Sequence, residues 1–303
     1  MANSLTSLSP TMIQDEVMPA LKLGLSPINA ASVKIAASPV EVGGSTLVPI
    51  IAGRTAGTYS STFADNTGNT LTSASVTWTA PKFASWYVNP NTEAMPTAER
   101  FLAEGRECAY AVAKACVQDV LGKYLEANIG STENTDELVV AAADYDVDDQ
   151  ATLWGMIKTK GVNGGISAIH NIAYATNLLK DNALQDRSAS GSDMLMTGEL
   201  PPVLGANQYY TDAFPTAVTN QNTGVIYTGK QTVAVALGVP NSVQEGLENA
   251  SGVRIELITD PDSGVQMVWR TWVDSNTGIY WGSVYVMCDS VFVQDAAVRV
   301  VSA

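Results

Sequence analysis

The chain has 303 residues, 46% hydrophobic and 15% charged, with 30 acidic against 16 basic side chains and a net charge of −14. This composition excludes a disordered chain, because there is enough apolar surface to offset chain entropy. A surface so acidic also excludes a groove that grips a phosphate backbone, and charge is sparse against the roughly one quarter usual in soluble domains, as in chains that hide surface against other chains.

The opening "MANSLTSLSPTMIQDEV" lacks the basic start and apolar run of a signal peptide. No stretch approaches the ~20 apolar residues that span a bilayer, so synthesis and folding in the cytoplasm are expected. Residues 1–40 mix short apolar runs with Pro10, Pro19, Pro27 and Pro39. "TMIQDEVMPALK" reads as a helix interrupted at Pro19, and the rest as extended chain with little core of its own.

Residues 41–90 are β in character. "STLVPIIAG" and a Thr/Ser/Val-rich return flank "DNTGN" at Asp65–Asn69, a strong turn signal. The arms are small and polar, so a long hairpin that cannot bury a face on its own is expected to project and to pack on a partner.

Residues 97–128 carry the clearest helix. Thr97 can cap it, Glu99 sits in its first turn, and Phe101, Gly105, Cys108, Val112, Cys116, Val120 and Tyr124 form one stripe. With Gly130 as terminator this is a rod of about 45 Å at 1.5 Å per residue, a structural spine.

Residues 131–250 alternate helices and short strands. "DVDDQATLWGMIKTKG" offers an aspartate cap, inward Leu153, Met156 and Ile157, and Gly161 as stop. "ISAIHNIAYATNLLKDN" reads as strand then helix, with Tyr174, Leu178 and Leu179 inward. "VLGANQYYTDAFP" reads as two short strands around a glycine, with Tyr209 and Tyr210 on opposite faces. "VIYTGKQTVAVALGV" follows. Residues 251–303 form an antiparallel meander with turns at Pro261–Gly264 and Asn276–Gly278.

The candidate chemistry is thin. His170 is the only histidine, so any Ser–His–Asp or Cys–His arrangement would have to use it; a structural role fits its neighbours better. "DYDVDD", Asp144–Asp149, imitates the opening of a calcium loop, but its sixth position is Asp149 and its twelfth Gly155, where glycine and glutamate are required. A solvated turn with a helix cap is the better reading. "DPDSG", Asp260–Gly264, pairs two carboxylates in what reads as turn chemistry, and "GVNGG", Gly161–Gly165, lacks the following G-K-[ST] of a phosphate loop. Trp78, Trp86, Trp269, Trp272 and Trp281 lie in predicted strands, where core or subunit packing competes with a sugar platform. Three cysteines, Cys108, Cys116 and Cys288, are too few and odd in number for a disulfide framework and suit a reducing compartment. No catalytic, cofactor or metal site is expected.

The order of parts carries more. "VEVGGSTLVPIIAG", a long polar hairpin, "TWTAPKFASWYVN", a long helix ending "DVLGKYLEANIG", then "AIHNIAYATNLLKDN", "VLGANQYYTDAFP", "TGKQTVAVALGV" and "GVRIELITDPDSGVQMVWRTW" closing at "DSVFVQDAAVRVV" together resemble a tailed-bacteriophage major capsid protein of the Hong Kong 97-like fold. The resemblance implies an α+β chain in four regions: an N-terminal arm at 1–45 lying across a neighbouring subunit, an extended β-hairpin loop at 46–90, a peripheral domain with a spine helix at 91–130 and 251–285, and an axial α/β domain at 131–250 and 286–303. It implies a non-enzymatic subunit, assembled in the bacterial host cytoplasm through hexamers and pentamers into an icosahedral virion shell around double-stranded DNA, with scaffolding, portal and possible decoration proteins as partners and no cofactor. Some members weld subunits through a lysine in the extended loop. Arg54–Pro81 holds none and the nearest is Lys82, so no such cross-link is expected. No acidic helical scaffold segment precedes the arm, so the expectation is a separate scaffolding protein or a segment that has already been removed. The acidic balance suits a wall that repels packaged DNA. An encapsulin-like compartment shares this architecture, and a β-rich carbohydrate-binding module or enzyme built on the tryptophans is the reading from another class.

Overall fold

A computed structural model describes residues 8–50, 72–89, 97–162, 164–181, 184, 200–215, 222–241 and 253–302. Helix α1 (Pro10–Leu25) starts at Ser9, whose side chain accepts a hydrogen bond from the Met12 amide, with Pro10 in the first turn. It runs unbroken through Pro19, against the expected interruption. An interior proline costs about 3 kcal/mol. The burial of Ile13, Val17, Met18, Leu21 and Leu25, at about 1.5–3 kcal/mol each, outweighs that cost. The surface that buries them is α2 (Thr97–Leu121) of the same chain. The leading segment therefore has a core of its own, contrary to the sequence expectation. Close approach is needed here: a Cβ on Gly24 would lie 2.5 Å from that of Ala113.

A 3-10 turn (Ser26–Ala30) leads to β1 (Ser32–Ile35) and then to a hairpin stem, β2 (Ser45–Ile50) paired antiparallel with β3 (Thr72–Thr77). The turn expected at Asp65–Asn69 lies outside the described residues. The stem is not unsupported: Val48, Ile50, Val76 and Trp78 are buried on Ala234, Ala236 and Met287 of the chain's own sheet. Strand β4 (Lys82–Val88) lies in that sheet and pairs with β12.

Helix α2 has 25 residues, about 37 Å at 1.5 Å each, and stops at Leu121 rather than continuing to 128. A short helix, α3 (Glu126–Ile129), follows, ended by Gly130 at φ +100. The expected stripe is confirmed: Phe101, Val112, Cys116, Val120 and Tyr124 are buried and Cys108 is half-buried. Gly105 sits where the tryptophans come closest, because a Cβ there would meet Trp269 at 2.5 Å. The expected cap by Thr97 lies outside the described side chains.

Beyond α3 come β5 (Glu137–Val139), α4 (Val147–Thr159), β6 (Ile166–Asn171), α5 (Ile172–Leu178), β7 (Asn207–Thr211), β8 (Thr223–Gly229) and β9 (Val233–Gly238). The chain closes with β10 (Val253–Thr259), β11 (Gln266–Val273), β12 (Tyr280–Phe292) and β13 (Ala297–Val301). One sheet runs β1-β9-β12-β11-β10, with β4 also on β12; the other runs β5-β13-β8-β6-β7. β12 is long enough to hold β11 and β4 along its first half and β9 along its second. The meander β10–β11–β12 matches its sequence signals, with amide-to-carbonyl turns Gly264 to Asp260 at 2.9 Å and Gly278 to Asp274 at 2.8 Å.

Helices α1 and α2 cover one face of the six-stranded sheet, and their core continues onto Ile169 and Ile226 of the five-stranded sheet. A second core, under α4 and α5, covers the other face of that sheet. Strands β8, β9 and β13 are buried on both faces, which is why they read as continuous apolar runs. The chain crosses between the sheets at 230–232 and 293–296. Bonds from the Thr232 hydroxyl and the Gly229 amide to the Ala296 carbonyl, at 2.8 and 2.9 Å, stitch the two crossings together.

Candidate functional site

Each candidate residue has a place that explains it without catalysis. His170 lies on β6, fully buried, with Nε2 2.6 Å from Gln208 Oε1 on the neighbouring strand β7. Its ring packs near Tyr145 and edge-on to Tyr227, at centroid distances of 6.0 and 6.5 Å. Burial holds its pKa down at about 4, with the Gln208 bond opposing the shift. No serine, cysteine or carboxylate bonds to the ring among the described residues, so a triad does not form.

That burial has a measurable consequence. The folded pKa lies below the usual His value of about 6.5, so the unfolded chain binds the extra proton first. Stability from this group is complete above pH 6.5 and is lost as pH falls towards 4, by about 3 kcal/mol. His170→Gln should remove that component while retaining a polar group for Gln208. Urea midpoints of the two proteins are expected to converge between pH 7 and 4; parallel profiles would refute the assignment.

Asp146 caps α4: its carboxylate accepts from the Asp149 amide at 3.1 Å, and Asp149 Oδ2 accepts from the Asp146 amide at 3.2 Å. This reciprocal box uses the carboxylates that imitated a calcium loop. Asp260 accepts from the Ser263 amide at 2.8 Å and from its hydroxyl, and pairs with Lys22 of α1 at 3.1 Å. The Ser263 hydroxyl, with help from Lys22, holds its carboxyl below the usual range. It ties a turn to a helix. Gly161, at φ +82, follows α4 as a stop, and Gly165, at φ +65, turns the chain into β6. No group of three or more metal-ligating side chains converges among the described residues.

The tryptophans divide by sheet face. Trp86, Trp269 and Phe101 form a packed cluster under α2, with centroids 4.9–6.0 Å apart. Trp78 is buried beneath the hairpin stem and donates Nε1–H to Thr46 Oγ1 at 2.9 Å. On the opposite face of the meander, Trp272 and Trp281 oppose one another in register and stack at 5.9 Å and 6°, with Tyr87 against Trp281 at 5.1 Å. Arg270 lies over Trp272 at 5.2 Å. Phe83, Tyr87 and Leu257 are exposed on this same face, an apolar area of the sort that marks a contact with another macromolecule. Sequence periodicity shows only that these strands alternate; which face the hairpin and helices cover depends on pairing between distant segments.

No protein-family model matches the chain, and none of the curated proteins does. Among solved structures, the capsid of Ralstonia phage GP4 matches with a TM-score of 0.54 at 9% identity, over 90% of this chain and 87% of that one. The capsid of cyanophage P-SCSP1u matches with a TM-score of 0.52 at 14% identity, over 90% and 86%. The fold is that of a phage capsid subunit. The mature capsid of bacteriophage PhiM1 matches likewise, with a TM-score of 0.50, 11% identity, and 91% and 86% coverage. Within this fold, His170 is a core residue, and among the described residues Phe83, Tyr87 and Leu257 leave an exposed apolar face on the meander.

Proposed function

We propose that the chain is the major capsid protein of a tailed phage: a structural, non-enzymatic subunit that assembles with its own copies, through hexamers and pentamers, into an icosahedral shell enclosing double-stranded DNA. The observation that carries this reading is the match along nine-tenths of the chain to capsid subunits of similar length. Surface area supports it. The chain exposes 15654 Å², against about 12,000 Å² for a compact monomer of its mass.

The Hong Kong 97-like arrangement belongs to the same proposal. In it, α2 is the spine helix on the six-stranded sheet of a peripheral domain, and the five-stranded sheet is the axial domain. The hairpin rising from β2 and β3 is the extended loop, and residues 1–45 are the arm. Strands β4 and β9 pair with β12, so the peripheral sheet draws strands from within the loop and axial ranges. Scaffolding, portal and decoration proteins are the further partners of this reading, the virion its location and the host cytoplasm its place of assembly. No Lys–Asn weld is part of it.

Electron microscopy of the expressed chain tests the reading, together with a nuclease-protection assay on particles from infected cells. Closed icosahedral particles that protect DNA are expected. A stable small species under all conditions would refute it, and particles filled with protein cargo instead of DNA would move it to a nanocompartment shell.

A further inference from the structure

Cys116 on α2 and Cys288 on β12 are both fully buried in the core between helix and sheet. Their neighbours set the register: Ser290 Oγ donates to Asp119 Oδ2 at 2.5 Å across the same helix–strand contact. Cys116 precedes Asp119 by three residues, about 4.5 Å along the helix. Cys288 precedes Ser290 by two, on the same strand face and about 6.6 Å back. Position 282 of β12 lies against Phe101 and Ser290 against Asp119, so the two elements run in the same direction and bring Cys116 and Cys288 opposite one another in one core. The third cysteine, Cys108, is half-exposed and apart. Partial burial and the charges of Glu104 and Glu107 push its thiol up to about 11, so it competes poorly for an oxidant.

We propose that Cys116 and Cys288 are a latent disulfide, reduced when the chain folds and closed by peroxide afterwards, locking α2 to β12. The chemistry rests on the fold alone; its use, in a particle made in a reducing cell and then released into an oxidising medium, rests on the shell reading. The oxidant must be small, because neither thiol is exposed and a bulky disulfide such as oxidised glutathione cannot reach them. One thiolate attacks a peroxide oxygen, the O–O bond breaks and hydroxide leaves. The second thiolate attacks the sulfenic sulfur and the S–O oxygen leaves as water. In total, two thiols lose two electrons and two protons, and one hydrogen peroxide becomes two waters. The neighbouring Cys116 thiol and then burial push the Cys288 thiol well above its usual pKa, so closure is slow and proceeds through transient opening.

The test treats the purified folded chain or particle, freed of reductant, with hydrogen peroxide, then unfolds it in excess alkylating agent for intact mass and peptide mapping. The expected result is one alkylated cysteine, Cys108, in place of three, with the Cys116 and Cys288 peptides linked. The melting temperature should rise, revert with dithiothreitol, and stay fixed in Cys288→Ala. Three alkylated thiols after oxidation, a sulfinic acid at either position without a link, or a link through Cys108 would each overturn the proposal. Particle formation is scored separately by microscopy, so loss of the cross-link and loss of the shell are distinguishable.

Discussion

Replacing residues 57–71 by a short Gly-Ser turn is expected to leave a folded, soluble subunit that forms no shells. Folding survives because the stem makes its contacts at home: Ser45–Ile50 pairs with Thr72–Thr77, and Val48, Ile50, Val76 and Trp78 bury against Ala234, Ala236 and Met287. Those burials, at about 1.5–3 kcal/mol for a large side chain, do not involve the removed residues. Assembly fails because the deleted stretch, rich in Gly, Ser, Thr and Asn, serves neighbours in the proposed shell. Circular dichroism and calorimetry should match the parent, while negative-stain images lose their particles entirely. Normal shells from this variant would remove the hairpin from the assembly mechanism.

Arg299→Met should destabilise the subunit by about 3–5 kcal/mol, the cost of breaking a buried ion pair. Arg299 is 1% exposed on β13, where it sits in register with Glu137 of β5 and donates from Nη2 to Glu137 Oε2 at 2.6 Å. Glu126 lies 3.7 Å away, while Nε and Nη1 find no hydrogen-bond partner among the described residues. The guanidinium is thus costly to bury and its satisfaction incomplete. Its removal alone strands the Glu137 carboxylate, and removal of both charges does not. Arg299→Met combined with Glu137→Leu is therefore expected to recover most of the loss, measured as urea midpoints at constant slope. A single variant within 1 kcal/mol of the parent would show that the pair does not hold β5 on the sheet.

Arg299 also shows where sequence reading stops. "AAVRVV" reads as a strand, but its partner carboxylate is 162 residues away and nothing local marks the arginine as buried. The tryptophans behave alike: Trp269 and Trp272, three residues apart on one strand, face opposite sides by alternation, but that α2 covers the Trp269 side is set by a distant segment. The crossings of the chain between sheets, before β9 and after β12, left no punctuation beyond an ordinary turn at Lys230 and Gln231. The structural reading of His170, by contrast, rested on its place at a strand end before a helix start, and the structure puts it there, at the end of β6 just before α5.

Taken alone, the amino-acid order determined the Asp146 cap, the buried stripe of α2, the hairpin pairing, the two meander turns and the opposed tyrosines at 209 and 210. Each is decided within a few residues, by a side chain that satisfies a nearby amide, by a helical or strand period, or by a glycine at positive φ. Tertiary structure alone decided that α1 passes through Pro19 and lies on its own α2, that β4 and β9 join β12, and that Phe83, Tyr87 and Leu257 are exposed on one face of the meander. These outcomes depend on apolar surfaces brought together from distant parts of the chain, and the free energy of that burial exceeds the local preferences it overrides.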